Sequence, residues 1–213
     1  MRSESSNGRR RTGAIVTGAL AGALTLTAAA CSSTPSAPSA AGASSSHPVA
    51  SHSAAASAAF GSDCGMIPAT GMGSLHGMSM DPVLTAAAHN PLLTTFAADA
   101  KTAGLTADLN TMHAITVFAP ANDAFSKLPA SAMSMMHSRA ELAKILKYHV
   151  VSGRITPAEL ASAKTLTTLE GDTIKTSKMG AVYEANTAGI ICGNIQTANA
   201  TVYVINKVLI PTH

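Results

Sequence analysis

Three cysteines, a tyrosine–histidine pair and a run of methionines and histidines carry most of the chemistry open to this chain. Cys31, Cys64 and Cys192 are its only thiols, and each could be acylated, bridged or left free. Tyr148-His149 places a phenol beside an imidazole where a helical pattern gives way to the apolar pair Val150-Val151. The pair reads either as a contact surface or as an inward-facing His149 hydrogen-bonded to backbone, with Tyr148 as a wall residue. Met66, Met72, His76, Met78 and Met80 fall in a glycine-rich stretch, and Met133, Met135, Met136 and His137 form a second group. Thioethers and imidazoles are soft ligands able to take Cu(I), yet no tight Met-x-x-Met or His-x-His framework is present. Methionine also fills gaps in cores, so no metal ligand is assigned.

Catalytic patterns are thin. Gly77-Met78-Ser79-Met80 begins like a nucleophile elbow, but Asp81 stands where the closing glycine belongs. There is no glycine-rich phosphate loop and no zinc-ligand framework, and the histidines lie beside no obvious carboxylate partner. The reading is of a protein that is not an enzyme and carries no cofactor.

The front of the chain bears on the fate of Cys31. Arg9, Arg10 and Arg11 make a positive segment, followed by an uncharged run from Ala14 to Ala30 that suits an export signal better than a membrane span. The run ends in Ala28-Ala29-Ala30-Cys31, which resembles a bacterial lipobox, with Ala28 where Leu or Val is the usual choice. Residues 1–30 are therefore expected to be a lipoprotein signal and Cys31 the acylated residue; ordinary cleavage after an Ala-x-Ala site is the alternative. Without that segment the chain keeps ten basic against ten acidic side chains, so the basic character belongs to the signal. Nothing then favours a nucleic-acid partner, which needs a clustered basic surface.

Residues 31–60 hold the expected lipidated cysteine and a Ser/Ala/Pro-rich stretch with too little apolar area to offset the entropy of ordering. They are expected to act as a tether spanning roughly 30 Å on average. Assigning Cys31 to lipid leaves Cys64 and Cys192, an even pair in an oxidising compartment. They would either bridge, pinning residues 61–80 to a strand region near the C-terminus, or remain two buried thiols.

Residues 61–213 suit one domain. Pro91 to Ala103 carries Leu92, Leu93 and Phe96 at helical spacing. Ser138-Arg139-Ala140-Glu141 has the form of a capping box before Leu142, Ile145 and Leu146, and Thr156-Pro157-Ala158-Glu159 is a second helix start. Thr116 to Phe118 reads as a strand stopped by Pro120, with Asn122 able to cap a short helix carrying Phe125. Later the period changes to two. Thr165 to Ser177 predicts a hairpin turning at Glu170-Gly171-Asp172, with strands over Ala181–Ala185, Ile190–Gln196 and Thr201–Ile210. Phe118, Phe125, Val202, Val204, Val208 and Ile210 are read as core, and Asn122 and Asp123 as turn groups or ligand contacts. Asn199-Ala200-Thr201 matches a glycosylation sequon at a strand entrance. Helices first and strands later predict an α+β fold.

Three segments in order, Thr116 to Phe125, Tyr148 to Val151, and Ala200 to Pro211, resemble the two boxes of the fasciclin-like domain and the Tyr-His motif between them. The resemblance covers Asp81 to Pro211. It implies a twisted β-sandwich or wedge with helices along one side and edge, and a secreted or surface-anchored adhesion module. Actinobacterial surface antigens of this family, which the chain resembles closely, have a similarly placed cysteine pair, implying a Cys64–Cys192 disulfide. In eukaryotic members the Tyr-His region is implicated in integrin-dependent adhesion, implying Tyr148 and His149 as contacts. The expected function is adhesion to a matrix, host-cell or cell-wall component from a lipid anchor in the membrane. A structural envelope lipoprotein and a small-ligand or copper carrier are the alternatives.

Overall fold

Two apolar strands lie side by side inside the sheet and set the architecture of residues 58–211, which the computed structural model describes. The expected signal, Cys31 and most of the tether lie outside the described residues. Strands β1 (Ile115–Pro120) and β7 (Ala200–Ile205) run parallel, pairing Val117 with Val202 and Phe118 with Tyr203. Every residue of both strands is buried, so their two faces serve two cores. Ile115, Val117, Val202 and Val204 face one cluster, and Phe118, Tyr203 and Ile205 face the other. Alternation along a pleated strand requires that division.

The first cluster lies between sheet and helices. It takes side chains from α1 (Leu75–Met80), α2 (Val83–His89), α3 (Thr94–Ala103), α4 (Thr106–Thr111) and α7 (Arg139–Tyr148). Two shorter helices, α5 (Asn122–Ser126) and α6 (Ala130–Met136), connect β1 to α7. After β2 (Val150–Ser152) comes α8 (Pro157–Ser162), which opens with a complete Thr156–Glu159 capping box.

The second cluster lies inside a curl of the sheet. Strands β3 (Thr165–Thr167), β4 (Thr173–Met179), β5 (Val182–Ala185) and β6 (Ala188–Gln196) complete the order β2-β1-β7-β6-β5-β4-β3. Its two outermost strands approach one another through a Val151–Thr168 bridge and a Leu169 N–H donated to the Val150 carbonyl at 2.8 Å. The mixed sheet is thereby almost closed, and Phe118, Tyr148, Leu160, Ile174 and Tyr203 fill its interior. Register shifts in β6 leave Ile190 on this inner side while Cys192 and Ile195 turn towards the helices. The α+β class and the wedge with helices are as expected, as is the hairpin of β3 and β4.

Several details differ. Helix α3 begins at Thr94, not Pro91, because the Asn90 side chain accepts from the Leu92 N–H at 2.9 Å and holds residues 90–93 in a turn. Helix α7 starts at Arg139 as predicted, but Ser138 makes no side-chain cap and Glu141 pairs with Lys144 at 3.2 Å. The last strand stops at Ile205 rather than Ile210. Beyond it the chain leaves β1, so Leu209 is buried while Val208 and Ile210, like Phe125, are only half-buried. Residues 61–80, for which the sequence predicts no helix start, contain α1.

Candidate functional site

The Tyr-His motif sits where α7 gives way to β2. His149 takes the last helical turn, its N–H bonded to the Leu146 carbonyl, and Val150 starts the strand. The ring is 0 % exposed. Leu209 donates its N–H to Nε2 at 3.0 Å, so the ring proton is on Nδ1, which donates to the Ile145 carbonyl at 2.7 Å. Burial pulls the imidazole down to a pKa of about 4, partly opposed by the Ile145 hydrogen bond. His149 is therefore a neutral clip joining α7, β2 and the C-terminal segment. It offers no surface to an outside ligand, which corrects its assignment as a contact.

Tyr148 is 3 % exposed and forms a wall of the inner core. Its hydroxyl donates to the Thr173 carbonyl at 3.1 Å and accepts from Asn186 Nδ2 at 2.9 Å. The phenol reaches the edge of a cleft of about 450 Å³ shared with Lys175, Asn186 and Leu209, but its one donor is already used by the Thr173 carbonyl.

The first box ends at a different cleft. Asn122 does not cap its own helix: Ala121 is the N-cap, with no side-chain bond. Its Oδ1 instead accepts from the Thr95 N–H at 3.0 Å, and its Nδ2 donates to the Pro91 carbonyl at 2.8 Å. The side chain thus caps α3 from outside, because the turn at Pro91 brings that helix start alongside α5. Asp123 follows it and is exposed. Asn122 and Asp123 line a cleft of about 250 Å³ together with Asp63, Lys127 and Asn206, so both fasciclin-like boxes and the first disulfide segment meet there. Asn206 helps shape it, its Oδ1 accepting from the Gly189 N–H at 2.9 Å.

Cys64 and Cys192 are joined by a disulfide with their Cα atoms 4.9 Å apart. It fastens a 3-10 turn (Cys64–Met66) to the irregular part of β6, beside the Phe60–Gly193 bridge.

Two further polar groups have structural roles that depend on partners far along the chain or across a turn. Asn199 is 5 % exposed; its Nδ2 donates to the carbonyls of Leu109 and Met112 at 2.7 and 2.8 Å, and its Oδ1 accepts from Val83 N–H at 2.8 Å. With its amide so engaged, Asn199 is no glycan acceptor in the folded chain, and the sequon reading is withdrawn. Arg154 fans across the β6–β7 turn, donating to the carbonyls of Thr197, Ala198 and Ala200 and to Gln196 Oε1. A polar residue heading an otherwise apolar box was the available clue for Asn199. Arg154 had none.

Among the described residues, no group of three or more His, Cys, Asp or Glu side chains could hold a metal ion. No helix among them is long and apolar enough to cross a membrane.

A curled mixed sheet carrying a buried Tyr-His junction, with helices over one face, defines the fasciclin class. The chain matches the family model of the fasciclin domain over residues 91–211, and it belongs to that family. It is 42% identical over 148 residues to immunogenic protein MPB70 of Mycobacterium bovis, covering 67% of this chain and 75% of the relative. Cell surface glycolipoprotein MPB83 of the same species is 41% identical over 148 residues, covering 67% of this chain and 66% of the relative. Among solved structures, the FAS1 domain pair from the insect cell adhesion molecule fasciclin I aligns with a TM-score of 0.53. At 18% identity that likeness speaks for the fold; it covers 63% of this chain and about half, 52%, of the two-domain chain.

Proposed function

We propose that this protein is a cell-surface adhesion module: a rigid fasciclin domain, anchored through acylated Cys31 and carried on a tether that ends before Phe60, whose backbone bridges to Gly193 in the folded domain. The observation that carries the reading is membership of the fasciclin family together with strong similarity to a relative named as a cell surface glycolipoprotein. The export signal and lipobox-like Ala28-Ala29-Ala30-Cys31 support the anchor. The diacylglyceryl unit of a bacterial lipoprotein supplies the two chains that stable anchoring needs.

The contact surface is assigned to the cleft between the boxes rather than to the Tyr-His motif. Asp123 is exposed there, with Lys127 and Asp63 along the same rim, whereas His149 is sealed inside. Opposite charges at a rim suit a polar partner and set orientation more than affinity. The partner class is a matrix, host-cell or cell-wall component, and no cofactor is involved. Purified protein incubated with immobilised matrix proteins, cultured cells and cell-wall fragments tests the reading. Saturable binding to one class is expected, and absence of saturable binding to all three would overturn it. The anchor has its own test. Cys31→Ser should move the protein from the membrane fraction into the medium, and an unchanged distribution would rule the anchor out.

A further inference from the structure

We propose that Met72, His76 and Met80 form a binding site for Cu(I). The inference is independent of the adhesion reading and uses none of the residues that line the Asp123 cleft. The three residues follow one another at intervals of four, and all of them line a single cleft of about 550 Å³. His76 and Met80 lie one turn apart on α1, so they project from the same helix face. Met72 precedes the helix and is brought against it by Gly77. A Cβ at Gly77 would come within 2.7 Å of the Met72 Cα and would collide with the Gly71 carbonyl. Only glycine permits that approach.

The backbone carrying Met72 is held in place before any ion arrives. The Ser74 hydroxyl donates to the Gly71 carbonyl at 2.6 Å and accepts from the Gly77 N–H at 3.0 Å, tying loop to helix. The buried side chain of Asn90 donates to the Gly73 carbonyl at 3.3 Å, fixing the other side of the loop. Fixing the backbone beforehand lowers the ordering cost of binding.

The methionines of this segment are sorted by role. Met78 is fully buried, and Asn90 donates to its sulfur at 3.0 Å. Met72 and Met80 are 55% and 72% exposed, so their large apolar side chains contribute little to the core. Two accessible thioethers and an imidazole are soft, neutral donors. They suit Cu(I) and are poor ligands for Mg²⁺ or Ca²⁺, which take oxygen. Asp81 lines the same cleft, and a carboxylate there would favour a cation. The three residues do not form a Met-x-x-Met pattern, because their interval is four and Met72 comes from the loop before α1.

The test uses the full-length chain in a Cys31→Ser background, so that a thiol cannot compete, with the Cys64–Cys192 disulfide intact. Cu(I) is offered anaerobically as its bicinchoninate complex, and transfer is read from loss of the chromophore. One equivalent should pass to the protein. Met72→Leu, Met80→Leu and His76→Gln should each weaken binding at least about tenfold, since displacing a ligand costs no less than disturbing its supports. Met133→Leu, at a comparably exposed methionine elsewhere, should bind as the parent does. In methyl-labelled protein, Ag(I) as a surrogate should shift the Met72 and Met80 signals and leave Met78 in place. No transfer of Cu(I), parental affinity in the three ligand variants, or loss on Met133→Leu would each overturn the proposal. The substituted side chains are exposed, and circular dichroism checks that the fold is retained.

Discussion

His149 and Asn199 show how single buried polar groups bind distant parts of this fold together. With its pKa depressed to about 4 from 6.5, the folded chain binds fewer protons than the unfolded chain between those values. The stability that depends on the neutral ring is complete above pH 6.5 and is lost as pH falls towards 4, by about 3 kcal/mol in total. Urea unfolding measured from neutral pH down to about pH 4 should show this decline. His149→Gln should be less stable at neutral pH yet lose less on acidification; an identical pH slope in the variant would refute the assignment. Asn199→Ala should cost about 3 kcal/mol, because it strands the Val83 N–H and the Leu109 and Met112 carbonyls away from water. A thermal scan checks this, and an unchanged midpoint would show that water replaces the amide.

Among the elements, the disulfide and the sheet differ in how far local sequence reveals them. The bridge closes a separation of 128 residues, so in the chain-entropy picture its loss should cost about 5 kcal/mol. A Cys64→Ser/Cys192→Ser double variant, followed by denaturant unfolding, should lose most of that amount. A loss near zero would mean that the turn at Cys64–Met66 and the Phe60–Gly193 bridge hold the segment alone. The apolar strands, the β3–β4 hairpin and the Thr156–Glu159 cap were legible because each depends on neighbours within a few residues. Helices α1, α2, α4 and α6 were not foreseen. Each has only six or seven residues and an irregular apolar pattern, and such short helices are held by packing more than by propensity. Asn122 was rightly singled out but given the wrong helix, since the start of α3 reaches it only through the turn at Asn90. The burial of His149 was one of two readings left open by the sequence, because its partner Leu209 is 60 positions away.

For the whole molecule, the near-closure of the sheet gives the domain an interior occupied by aromatic and aliphatic side chains, so the proposed partner is expected at a surface cleft. The Tyr-His motif thereby becomes a structural joint, and a loss of adhesion on replacing His149 would first have to be separated from loss of fold. Asp123, exposed beside Lys127, can be changed without entering either core. The central claim is best tested by comparing Asp123→Lys with His149→Gln, both verified as folded at neutral pH, in saturable binding to the matrix, cell or wall ligand that the parent protein binds. The account predicts that Asp123→Lys weakens binding by about tenfold while His149→Gln binds as the parent does. Full binding by Asp123→Lys, with binding lost in folded His149→Gln, would contradict it.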